Sequence, residues 1–180
     1  MSEQSRLDSA LSRGILVADG AMGTMLQDAG LGPGMPPELW NRDNPEAILA
    51  VHSAYVEAGS DLVVSNTFGA TRIQLRRQGL EEQVAELNKL GVALARQAAG
   101  PDRLVLGDVS STGTLLEPLG TLSFSEARDT YAEQAQALAA EVDALLARTG
   151  FEVVEVTEKA GLLSFLGHQL STILVSAAWT

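Results

Sequence analysis

The chain has 180 residues, with 12 Lys and Arg against 23 Asp and Glu, so its formal net charge is −11. Its length suits one domain, and 46% hydrophobic residues supply a real core, which excludes a disordered acidic tail. The acidic balance argues against nucleic acid as a partner, and the absence of Cys excludes disulfides, thiol nucleophiles and thiolate metal sites built from this chain.

The first residues, MSEQSRLDSALSR, lack the apolar stretch of a signal peptide, and no window reaches the ~18 apolar residues of a membrane span. A soluble, cytoplasmic protein with no membrane partner is expected. Residues 14–19 (GILVAD) read as a buried parallel strand, followed by a Gly- and Pro-rich loop to about residue 43. Asn44-Pro45-Glu46 opens a helix: Asn44 can cap it, Pro45 suits the first turn, and Glu46 faces the positive dipole end. Ile48, Leu49, His52, Tyr55 and Val56 form its inner face, and Gly59 fits its stop. Residues 61–66 (DLVVSN) predict a second strand, and residues 71–99 a helix broken near Gly79. Residues 103–108 (RLVLGD) predict a third strand, with a polar loop over 109–120. Ser123 and Glu126 have capping-box spacing for a helix to about Glu141, and residues 142–146 read as a fourth strand. The apolar residues beyond about Lys159 show neither period. Strand–helix alternation implies parallel strands with crossovers, either doubly wound or in a barrel. A (β/α)₈ barrel takes at least about 200 residues, so 180 residues at this repeat length hold half of one.

Polar residues end three successive strands: Asp19, Asn66 with Thr67, and Asp108 with Ser110. In parallel α/β folds the C-terminal strand ends share one face, so these groups can line one pocket, although each alone also suits a plain turn or cap. In residues 19–24 (DGAMGT), Gly20 and Gly23 allow close approach of a ligand, and successive N–H groups suit an anion such as a carboxylate. No phosphate loop of the GxxxxGK[ST] type occurs. His52 reads as a hydrogen-bonded core residue, and Arg72, Arg76 and Arg77 as a solvated helix face.

Residues 19–26 (DGAMGTML), 44–46 (NPE) and 58–71 (AGSDLVVSNTFGAT) resemble the N-terminal half of the homocysteine S-methyltransferases. This is the homocysteine-binding domain of cobalamin-dependent methionine synthase and betaine-homocysteine methyltransferase. Residues 86–88 (ELN), 107–113 (GDVSSTG) and 116–120 (LEPLG) continue the match in order, over about residues 12–158. The resemblance implies the N-terminal half of a TIM barrel, about four βα units over residues 1–158, with an irregular, divergent tail over 159–180. It implies methyl transfer to the homocysteine thiol to give methionine, with homocysteine as the small-molecule substrate. Asp19 would pair with the substrate ammonium, Gly20 would orient the ligand, and Asn66 and Thr67 would line the same pocket. The family holds zinc through three Cys, which lowers the thiol pKa. Its donors are methylcobalamin on another domain or protein, a betaine-like compound or S-methylmethionine.

Two departures stand out. The zinc Cys residues lie in the second half of the family's barrel and are absent here, and Arg148 stands where a substrate-binding Glu is expected. The sequence therefore reads as a truncated member, inactive alone, with no catalytic residue or metal ligand assigned. The alternative is a non-catalytic remnant that binds an amino acid or self-associates as a homo-oligomer.

Overall fold

The computed structural model describes residues 6–139 and 142, and the strand segments 144–148, 152–157, 162–166 and 173–176. Its centre is a sheet in which β1 (Leu62–Val64), β2 (Leu104–Ser110) and β3 (Ala144–Arg148) run parallel. Leu62 pairs with Leu104, and Ser110 with Arg148, so the strands end together on one face. Residues 17–19 lie parallel to β1 on its other side. Leu62 N–H donates to the Val17 carbonyl, Asp19 N–H donates to the Leu62 carbonyl, and Ala18 bridges Leu62.

The helices α1 (Arg6–Leu11), α2 (Gly23–Asp28), α3 (Trp40–Asp43), α4 (Pro45–Glu57), α5 (Arg72–Arg76), α6 (Val84–Ala99) and α7 (Phe124–Leu138) supply the layers around the sheet. Alternation along the strands divides the core in two. Val63 and Val105 point toward α6 and α7, packing with Val92, Ala95, Tyr131 and Leu138. Leu62, Val64, Leu104 and Leu106 point the other way, where Leu7 and Ala10 of α1 cover them. Burial on both faces explains why β1 and β2 read as continuous apolar runs rather than alternating ones.

The helix signals are largely realised. Gly59 takes φ +102° just past α4, and Gly79 takes φ +68° where the predicted long helix breaks into α5 and α6. Ser123 Oγ accepts the Glu126 N–H at 3.2 Å. Asn44 precedes α4, but its side chain makes no cap bond; Pro45 at the first turn starts that helix.

Two expectations need correction. The expected strand over 14–19 reduces to the single bridge at Ala18, and Ile15 is 94% and Val17 57% exposed. Among the described residues only β1 pairs with this segment, so its outer row of backbone groups has no ladder to join. The tail expected to be irregular contains β5 (Leu162–Leu166), antiparallel to β4 (Glu152–Thr157), and β6 (Ile173–Ser176), antiparallel to β3. These apolar runs are only four and five residues long, too short for either period to register. The fourth strand lies two residues later than the sequence suggested, ending at Arg148. Among the described residues no helix is long and apolar enough to cross a membrane.

Candidate functional site

A cavity of about 840 Å³ opens at the C-terminal ends of the strands. That size lies within the usual range of small-molecule sites, roughly 300–1,000 Å³. Asp19, Gly20, Asn66 and Asp108 line it, as the strand-end argument expected, and the loop carrying Glu38 forms its opposite wall.

Among the described residues, Asp19 is held at one carboxylate oxygen only. Its side chain is only 3% exposed, and its Oδ1 accepts the Val64 N–H at 3.1 Å. Its Oδ2 lies 3.7 Å from Nδ1 of His52, a ring with no exposed surface. His52 is buried as expected, but neither ring nitrogen has a hydrogen-bond partner; the nearest charge is Asp19, reached across the β1 end from α4. Gly20 also leaves room for the Tyr55 ring. A Cβ there would stand 3.1 Å from the Tyr55 hydroxyl, which donates to the Ala21 carbonyl at 3.0 Å. Tyr55 thereby pins the loop that presents Asp19.

The sequence reading missed Glu38. It follows Pro36-Pro37 in a one-turn 3₁₀ helix and is buried, with Oε1 accepting the Gly69 N–H. Burial raises its carboxyl above the ordinary range, and backbone hydrogen bonds lower it in part. Asp19, Glu38 and Asp108 make the cavity rich in carboxylates. Arg77 also lines it; exposed, as the solvated-face reading expected, it donates to the Thr112 and Gly113 carbonyls and so ties the 111–113 loop to α5. Arg72 likewise makes a two-pronged pair with Glu133 of α7, at 2.9 and 2.7 Å.

Behind the cavity lies a buried amide network. Asn66 Nδ2 donates to the Pro37 carbonyl and to Asn41 Oδ1, while Asn41 donates back to the Asn66 carbonyl. Asn88 Nδ2 donates to the Ala70 carbonyl, and Gln134 Nε2 donates to the Thr67 carbonyl and to Asn88 Oδ1. Thr67 does not line the cavity. It is fully buried, and its hydroxyl donates to the Asp108 carbonyl at 2.8 Å, a bond that ties the β1 exit to β2. Asn66 thus reaches the cavity wall with its amide already committed, and Thr67 supports the wall from behind. Asn41 and Gln134 carried no motif in the sequence, and Asn88 entered only as the last residue of the 86–88 match; only tertiary contact reveals all three as core.

Arg148 ends β3 beside Ser110, on the same face as Asp19 and Asn66. The family's zinc finds no fitting donor set: the chain contains no Cys, and among the described residues no cluster of three His, Asp or Glu could hold a metal.

This geometry has clear counterparts. The family model for homocysteine S-methyltransferase matches residues 16–173. The methionine synthases of Mycobacterium leprae and Mycobacterium tuberculosis are each 36% identical over 166 residues, covering 85% of this chain and 14% of theirs. The homocysteine methyltransferase MmuM from Escherichia coli, in its metallated form, matches with a TM-score of 0.65 at 27% identity, over 78% of this chain and 56% of that one. Its oxidized form gives a TM-score of 0.62 over 77% and 55%. This chain therefore spans only 14% of the length of those methionine synthases. It belongs to the homocysteine S-methyltransferase family.

Proposed function

We propose that this chain binds homocysteine in the strand-end cavity, as the amino-acid-binding half of a TIM-barrel methyltransferase that forms methionine. The observation that carries this reading is Asp19, a buried carboxylate held on one oxygen by the Val64 N–H and facing a carboxylate-rich cavity. Such a group suits the ammonium of an amino acid, as the family's Asp-Gly after the first strand does. Gly20 and Asn66 form the adjoining wall, and Thr67 fixes its shape. Homocysteine fills only part of this volume, which leaves space for a methyl donor. The three Cys that hold the family's zinc have no counterpart in this Cys-free sequence, so no step of transfer is assigned to it.

Isothermal titration of the whole chain with homocysteine tests this. A charge-assisted bond contributes about 1.5–3 kcal/mol, so Asp19→Ala is expected to weaken binding roughly tenfold to a hundredfold. Equal affinity in both proteins, or none in either, contradicts the reading.

Self-association is a second reading, and it rests on the exposed edge at residues 15–17. Ile15 and Val17 stand in solvent beside backbone groups available to another strand.

A further inference from the structure

We propose that His52 is the positioning residue for Asp19, holding the carboxylate in the orientation that accepts the ligand's ammonium; this rests on the homocysteine-binding reading above. Three observations converge. His52 has no exposed surface, and both ring nitrogens lack a hydrogen-bond partner, an arrangement that burial penalises. Its Nδ1 lies 3.7 Å from Asp19 Oδ2, just beyond hydrogen-bond distance. The other carboxylate oxygen is already fixed by the Val64 N–H, so Oδ2 is the one still free to move.

A carboxylate only accepts hydrogen bonds, so the ring nitrogen facing it must carry the hydrogen. His52 is anchored on α4, whose neighbours Ile48 and Val51 are buried in the cluster with Leu26 and Leu94. The imidazole is therefore the fixed partner and the Asp19 side chain the adjustable one. A small rotation of the carboxylate closes the gap to Nδ1–H. Both oxygens are then held, with their remaining lone pairs directed at the cavity. His52 does not line the cavity and touches no ligand itself. Its effect is confined to how well Asp19 meets a positive charge.

Two measurements on the full chain decide this. The first needs no ligand: ¹⁵N–¹H correlation spectra of the histidine rings, assigned with His168→Gln because the chain has only two His. The expected result is an Nδ1-protonated His52 whose ring shifts move in Asp19→Asn while those of His168 do not. An Nε2-only tautomer, or a His52 signal indifferent to Asp19→Asn, overturns the proposal whatever homocysteine does. The second compares homocysteine with 4-mercaptobutanoic acid, which lacks the amino group. His52→Leu should lose about fivefold or more in affinity for homocysteine and leave the deaminated compound unchanged. His52→Asn, whose amide nitrogen can occupy the Nδ1 position, should restore the preference. Equal losses for both compounds mark a merely structural histidine and also overturn the proposal. If the wild-type chain binds neither compound, the homocysteine reading fails, and the ring spectra still decide the His52–Asp19 pair.

Discussion

Burial holds the Glu38 carboxyl above the ordinary carboxylate range, and its backbone hydrogen bonds offset this only in part. The folded chain therefore keeps the Glu38 proton at pH values where the unfolded chain has lost it. The stability this provides is complete below the unfolded value, near 4.5, and declines as pH rises through the raised folded value. Glu38→Gln keeps an oxygen for the Gly69 N–H and removes the charge. Urea denaturation at pH 5 and pH 8 should show a smaller stability difference for the variant than for the wild type, with the variant the more stable at pH 8. An unchanged pH dependence contradicts the buried-carboxyl account. Glu38 was illegible in sequence because an acid after Pro36-Pro37 reads as a turn residue; only the fold of the 37–39 loop against Gly69 buries it. Asp19 was legible as a strand-end group because it ends an apolar run before Gly20, although that pattern alone also suits a turn or cap. His52 was legible as buried, but its pairing with Asp19 joins α4 to the end of the preceding segment, a contact 33 residues apart that no local pattern encodes.

Helix α6 shows what packing imposes on an element. Gly91 sits at its middle, where Ala would ordinarily strengthen a helix by roughly 1 kcal/mol. Here a Cβ would stand 2.7 Å from both Asn41 Nδ2 and Thr67 Cγ2, inside the amide network behind the cavity. Overpacking of this kind costs about 1–3 kcal/mol, so it outweighs the propensity gain. Gly91→Ala is expected to lower the chemical denaturation midpoint; a rise would mean that α6 has room to shift. The sequence supports a helix here but is silent on the close approach, since glycine inside a helix carries no label for what it touches. Strand and helix identities were legible where both flanks carried breakers, as at Gly59, Gly79 and Ser123. They failed at residues 14–19, where the apolar run is real and its ladder partner lies on one side only.

Among the described residues β1, β2 and β3 run parallel in a sheet that β6 joins antiparallel, with α6 and α7 against one face, α1 against the other, and the cavity at the strand ends. The exposed segment at residues 15–17 is the weak boundary of that architecture. Light scattering is expected to show dimers or larger species, and Ile15→Lys should reduce them by placing charge on the edge. A monodisperse wild-type monomer contradicts edge-driven association.

The central claim is that homocysteine meets Asp19 in this cavity, and the most direct test follows the carboxyl itself. A ¹³C-detected titration of the full chain with homocysteine should move the Asp19 side-chain carboxyl signal saturably, together with the backbone amide of Gly20. An Asp19 carboxyl that stays fixed throughout the titration, whether or not homocysteine binds elsewhere, contradicts the account.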